Sequence, residues 1–422
     1  MEPHFSTFGA LLGLAIAIIG VVKKYPASYS LIVGAIVGGL VGSGWDFDAT
    51  FAAAFAGASG MCQSALRILT SGALAGALVK TGAAQKLAQT IVDKLGETRA
   101  ITAIALSTCL LCAVGVFIDV AVITAAPVAL AISRRVGISR SVALLAMIGG
   151  GKAGNVISPN PNTLVAANAF DVDVSSLIAR NIVPAIFGVA ATILVASKFM
   201  KKFRDQVAEE ASEQDATREL PSLFASLVGP LAIVVLLALR PLAKISIDPL
   251  IALPLGGVVC VLATGRREHM VEYMEYGLGK VVWVAALIVS VGTISGIVKD
   301  SYLVGDSERL LAMLKLPTFA LAPISGIFMA GAAASTVGGV SIASDAFSQT
   351  LVSSGVSPLA CAATLHAGAT VIDSLPHGSF FHATGGSVHM QFQNRVKILP
   401  YEIAIGLVLV TTSTAIYAIF GR

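Results

Sequence analysis

Apolar runs dominate the chain, and they are punctuated rather than continuous. They lie at Phe5–Val22, Ser28–Trp45, Ser64–Lys80, Ile101–Ile132, Leu177–Met200, Leu223–Leu239, Pro249–Thr264, Lys280–Val298, Pro317–Val352, Val356–Ile372 and Tyr401–Phe420. About 20 apolar residues cross a bilayer as a helix, so this pattern predicts an all-α polytopic membrane protein. Two shorter stretches, Phe51–Gln63 and His269–Tyr276, read as interfacial helices. One stretch cannot be an unbroken crossing. Gly149–Asn168 opens on three glycines and Lys152, then crowds Ser158-Pro-Asn160-Pro-Asn162-Thr163 into six residues. Each proline removes an amide donor and pushes the preceding residue out of the helical region. In hydrocarbon, such a break is tolerated only where it is buried in protein or lines a cavity.

The charges at the ends of the runs orient them. Lys23-Lys24, the group Lys80, Lys86, Lys94 and Arg99, and the group Arg134, Arg135 and Arg140 read as cytoplasmic by the positive-inside rule. The acidic loops Asp46-Phe-Asp48 and Asp171-Val-Asp173 then read as external. Ile101–Ile132 has basic residues at both ends and an interruption at Gly115–Asp119, which predicts a re-entrant hairpin with Asp119 near its tip. Two ordinary crossings joined by a short external turn are the alternative. Arg67, near the outer start of its span, is placed to snorkel. Residues 201–221 form the only long polar segment and fall at the midpoint, as a cytoplasmic linker would.

Beyond that linker the plan repeats. Span, span, amphipathic stretch, span, hairpin, broken helix and span recur in the same order, with Lys80 and Lys299 at a shift of 219. Gly137, Ser139 and Gly150 recur at a shift of 218 as Gly355, Ser357 and Gly368. The second hairpin breaks around Ser335-Thr336, and the second broken helix at Asp373-Ser374-Leu-Pro-His377-Gly378. The charge assignments invert the copies, residues 1–200 and 222–422, with both termini external. Arg240 and Lys244 violate this topology.

Composition narrows the class without changing it. Hydrophobic residues make up 56% and charged residues 12% of 422, with a net charge of +4, which gives no footprint for a nucleic-acid partner. Five cysteines are scattered; Cys109-Leu-Leu-Cys112 lies in an apolar run and reads as buried packing. Phe5–Val22 lacks a basic leader segment and reads as a retained helix.

Inverted repeats with broken helices point to a secondary transporter whose solute sits at the repeat interface. Helix halves that begin at a break aim unpaired amides and a positive dipole end into the cavity, which suits a carboxylate. The candidate solute contacts are Lys152, Asn155, Ser158, Asn160, Asn162 and Thr163 from one repeat, with Ser335, Thr336, Ser374 and His377 from the other. Asp119, Asp373 and His366 are ionisable at membrane depth and are candidates for proton coupling. Lys152 would supply fixed positive charge near the bound carboxylate, or neutralise Asp119 as a structural ion pair.

The sequence resembles the gluconate permease family of proton symporters, within the wider ion transporter superfamily. The resemblance rests on Gly76–Gly82 running into the basic amphipathic stretch Ala88–Gly96, on the acidic tip residue Asp119 where relatives tend to carry glutamate, on Pro127, and on the Pro-rich break after a Gly/Ala run. It implies a homodimer in a bacterial inner membrane, with proton-coupled, elevator-like uptake of sugar acids or related hydroxy acids. It also implies a scaffold (1–82 and 222–298), moving hairpins and broken helices (100–168 and 317–388), and closing spans (177–200 and 401–420). Well-known members carry His-Gly and Pro-Pro-His-Pro-Gly-Pro at the first break, where this chain has Lys152-Ala-Gly-Asn and Ser-Pro-Asn-Pro-Asn-Thr. The Ser/Asn/Thr character also resembles sodium-dependent dicarboxylate carriers of the superfamily, which keeps sodium as an alternative coupling ion. Four of six histidines lie between His366 and His389, so a membrane metallohydrolase is a rival class, although no zinc-ligand spacing is present and no cofactor is expected. A passive channel is the other rival.

Overall fold

The computed structural model describes residues 4–23, 25–199, 219–243, 247–303, 306, 318–353, 355–376 and 378–420. The described residues form helices, with one isolated bridge between Phe5 and Ser301. In the first half these are α1 (Thr7–Val22), α2 (Ala27–Gly42), α3 (Phe47–Gly60), α4 (Cys62–Lys80) and α5 (Ala83–Leu95). They are followed by α6 (Ala100–Ala113), α7 (Ile118–Val136), α8 (Arg140–Asn155), α9 (Pro161–Ala169), α10 (Val174–Arg180) and α11 (Ile182–Phe199). The second half contributes α12 (Leu223–Ala243), α13 (Pro249–Ala263), α14 (Met270–Lys299), α15 (Leu321–Ala333), α16 (Thr336–Ser353), α17 (Pro358–Ala369), α18 (Ser379–Ser387) and α19 (Phe392–Phe420).

The two halves meet through glycine. A methyl group at Gly57 would lie 2.1 Å from the Gly292 carbonyl oxygen, and one at Gly277 would lie 1.8 Å from that of Gly72. Gly296 sits as tightly on Ala53, and Gly76 on Tyr273. Every member of the first contact lies 220 positions from its counterpart in the second: Gly57 and Gly277, Gly72 and Gly292, Gly76 and Gly296, Ala53 and Tyr273. Thus α3–α4 and α14 cross antiparallel, and each presents to the other the patch it receives. Small residues permit this approach where lipid supplies no hydrophobic drive between helices.

The hairpins repeat in the same way. The α6–α7 tip turns at Gly115 (φ +103°), and the α15–α16 tip turns 219 positions later at Ala334 (φ +44°). At 1.5 Å per residue, α6 is only about 21 Å long, short of the ~30 Å hydrocarbon core. The short first arm agrees with the expected hairpin. The broken helices α8–α9 and α17–α18 fill the centre. All of Ser141–Asn155 and Ala360–Ala369 are buried, as expected of helices apolar on every face.

Four boundaries and one side-chain placement differ from the sequence pattern. Phe51–Gln63 is not a separate interfacial helix but belongs to α3 and the start of α4, which together run as a 34-residue candidate span over Phe47–Lys80. His269–Tyr276 is not a separate interfacial helix but the start of α14, because Gly277 is locked against Gly72 and the helix runs through it. The last helix begins at Phe392, not Tyr401; a buried ion pair between Arg395 and Glu402 spans the turn containing Pro400. The span expected at 177–200 is broken at Asn181, with a 44° bend between α10 and α11. Arg67 does not snorkel; its guanidinium donates to both oxygens of Asp248 at 3.0 and 2.6 Å. Most of the linker expected at 201–221, together with Lys244 and the Arg240 side chain, lies outside the described residues.

Candidate functional site

Four helix N-termini converge on one cavity of about 170 Å³. Asp119 of α7, Asn162 of α9, Thr336 and Val337 of α16, and Phe380 of α18 all belong to first turns, and all line it. Asn155, at the end of α8, and Asp373, in the second break, complete the inner wall with Ser335. Across from them stand Lys280 and Val284 of α14. The cavity is smaller than the ~300–1,000 Å³ of sites for drug-sized ligands, which suits a small solute.

The breaks arise locally. In the first, Asn160 caps α9 by accepting from the Thr163 amide at 3.1 Å, and Pro161 begins the helix where its missing donor costs nothing. The Asn160 side-chain amide donates to the Asn155 carbonyl at 2.8 Å and also to the Asn155 side-chain oxygen. Asn162 donates to that same side-chain oxygen at 2.8 Å. Asn155 is thereby held with its Nδ2 buried and unpaired, and Asn162 with its Oδ1 unpaired. Both residues line the cavity, so one wall offers an unused donor and an unused acceptor to whatever enters.

The second break is held from the other repeat. Lys152 is fully buried and donates from Nζ to the Thr370 carbonyl (2.5 Å), the Val371 carbonyl (3.4 Å) and Asp373 Oδ1 (2.7 Å). A helix end leaves its last carbonyls without intrahelical partners and carries partial negative charge; the ammonium answers both at the end of α17. Asp373 Oδ1 also accepts from Ser374, and Oδ2 accepts from Thr336 at 2.7 Å. One carboxylate thus ties the first broken helix, the second break and the second hairpin tip together.

Not every candidate reaches the cavity. Asp119, Asn155, Asn162, Ser335, Thr336 and Asp373 line it. Lys152 does not pair with Asp119, because its ammonium is committed to Asp373 and the α17 carbonyls. Nor does it face the cavity as fixed positive charge. Asn160 serves as a cap, Ser374 serves Asp373, and Ser158 and Thr163 are buried behind the wall. His366 is buried elsewhere in α17, with neither ring nitrogen hydrogen-bonded. His377 lies outside the described residues. The sequence pattern missed Lys280, which reads as the basic end of a span but lies in mid-helix on the cavity, its ammonium 5.1 Å from the Tyr276 ring centroid. Phe117 and Phe380 were missed for want of any signal beyond apolarity. Among the described residues no group of three His, Cys, Asp or Glu side chains could hold a metal ion.

Residues 7–248 match the model of the GntP family permease. A protein of Haemophilus influenzae (strain ATCC 51907 / DSM 11121 / KW20 / Rd) described as an uncharacterized transporter is 48% identical over 418 residues, 98% of this chain and 99% of its own. Among solved structures, the crystal structure of the Alcanivorax borkumensis YdaH transporter, described as having an unusual topology, superposes with a TM-score of 0.69 over 98% of each chain. Identity to it is 13%, so the likeness is one of fold.

Proposed function

This chain belongs to the GntP permease family, and from that premise we propose that it is a secondary active importer of a small organic anion, a sugar acid or related hydroxy acid, driven by proton symport. The observation that carries this reading is the convergence of four helix N-termini on one small cavity. Each brings the positive end of a helix dipole to the enclosed space, the arrangement that favours an anion. The unpaired amide of Asn155 and the hydroxyl of Thr336 are placed for its carboxylate and hydroxyl groups.

Asp119 is the proposed proton carrier. It is half-buried on the cavity wall and has no ion-pair partner within 4 Å among the described residues, whereas Asp373 is already held by Lys152. Loading the site with a proton and an anion together adds no net charge to be moved through the bilayer. In this reading the hairpins and broken helices shift as a body against α3, α4 and α14, in a homodimer of a bacterial inner membrane with residues 201–221 cytoplasmic.

Sodium coupling is the second reading. Asn162 Oδ1 and Ser158 Oγ are buried oxygens without hydrogen-bond partners, the ligand type that hard cations take. Uptake into proteoliposomes across a panel of hydroxy acids beginning with gluconate, with pH and sodium gradients imposed separately, decides between them. The expected result is accumulation that follows the pH gradient. Accumulation that follows sodium and ignores pH would replace the proton by sodium, and equilibration without accumulation would make the protein a channel.

A further inference from the structure

One buried carboxylate stands apart from the cavity. Asp345, in the middle of α16, is 4% exposed, and its Oδ1 lies 3.4 Å from Nζ of Lys299 at the end of α14. Its Oδ2 is buried without a hydrogen-bond partner. Ser341 Oγ, one turn before Asp345 on α16, is likewise buried without a partner, and Ser295, one turn before Lys299 on α14, brings its hydroxyl to the Asp345 carboxylate. A buried acid with one oxygen left open is costly inside a membrane protein.

The charged surroundings are sparse. The helices packed against α16 are α14, α15, α17 and α9. The sequences of α9 and α15 contain no ionisable residue, and α16 itself has only Asp345. From α17 come Cys361 and His366, both fully buried. From α14 come Glu272, Tyr273, Glu275, Tyr276, Lys280 and Lys299, of which Lys299 is the charged group within 4 Å. Lys299 is itself 44% exposed at its side chain and can leave for solvent, while Asp345 cannot.

We propose that Asp345 is a second proton-binding site, whose negative charge is held by Lys299 across the α14–α16 contact and passes to a proton when that contact opens. This rests on the reading that the second hairpin moves against α14. The pair then joins a moving part to a fixed one, in the second repeat only, since Ala126 stands 219 positions before Asp345. When the contact parts, a buried carboxylate without its cation must be hydrated or protonated. The Ser295 hydroxyl and the open Ser341 hydroxyl supply partners for a neutral carboxyl group, which can donate as well as accept.

The test is a pH titration of the full-length protein in lipid, read by infrared difference spectroscopy in the carboxyl carbonyl-stretch region. Wild type, Asp345→Asn, Lys299→Gln and Asp119→Asn are compared. The expected result is a titrating band that disappears in Asp345→Asn, persists in Asp119→Asn, and moves to higher pH by about one unit in Lys299→Gln, a tenfold gain in proton affinity. A titration unaltered by Asp345→Asn overturns the proposal. Should that variant fail to fold, Lys299→Gln decides alone, and a titration that does not move in it overturns the proposal equally. The measurement needs neither solute nor gradient, so it can fail while proton symport stands, and symport can fail in the uptake assay while this titration is read.

Discussion

Lys152 and Asp373 lie 221 positions apart in sequence and 2.7 Å apart in space, both deeply buried, with Asp373 on the cavity wall. Through this contact the first broken helix governs the geometry of the second. Removing one partner of a buried pair strands the other charge and costs about 3–5 kcal/mol. Lys152→Met and Asp373→Asn are each expected to lower thermal stability in detergent by that order, and the double variant by clearly less than their sum. A double-mutant cycle with no coupling term would show that the pair does not hold the breaks together.

Asp119 has no such partner among the described residues, and that difference carries the transport prediction. Asp119→Asn is expected to abolish accumulation driven by a pH gradient while leaving solute exchange between the two sides of a proteoliposome. Undiminished accumulation removes Asp119 from the coupling mechanism.

Asn155 offers a test of the sign of the ligand. Asn155→Asp keeps the side-chain acceptor used by Asn160 and Asn162, so the break should survive. A carboxylate in place of the open amide repels an anion. The half-saturation concentration for the solute should rise about tenfold or more, equivalent to about 1.4 kcal/mol. An unchanged half-saturation concentration would place the anion elsewhere. A lowered sodium requirement would indicate that the wall binds a cation.

Asp248, at the start of α13, gives a pH dependence. The Arg67 hydrogen bonds hold its carboxyl below the usual carboxylate range. A depressed value contributes stability above the unfolded value of about 3.9 and loses it as pH falls through the folded value. Since Asp248 is 40% exposed, the contribution is at most about 1 kcal/mol. Wild type should lose a small stability advantage over Asp248→Asn on acidification below about pH 4. An advantage that grows on acidification would contradict the pairing.

The placement of breaks was legible because it depends on short-range chemistry. Pro159 and Pro161 cannot continue a helix, and Asn160 between them is a ready cap. The partners across those breaks were not legible. Nothing near Lys152 in sequence indicates the Thr370 carbonyl or Asp373, and the nearer acid, Asp119, was the more obvious candidate. Lys280 was misplaced for a related reason. A lysine after two glycines in an apolar context looks like a membrane boundary, and only the packing of Gly277 on Gly72 shows that the helix passes straight through. Asp345 carried the same signal as Asp119, an acid within an apolar run, but it lies away from both breaks and was read only as part of a hairpin arm.

The glycine contacts between α3–α4 and α14 have a further consequence. Because each half offers the patch that it receives, the interface inside this one chain is isologous in the sense used for symmetric dimers. A lesion at Gly57 is the same lesion as one at Gly277, met on the other copy. The two halves retain the mutual surface of a pair of separate subunits, so the connection through the polar segment at the midpoint makes the pairing intramolecular without being what specifies it.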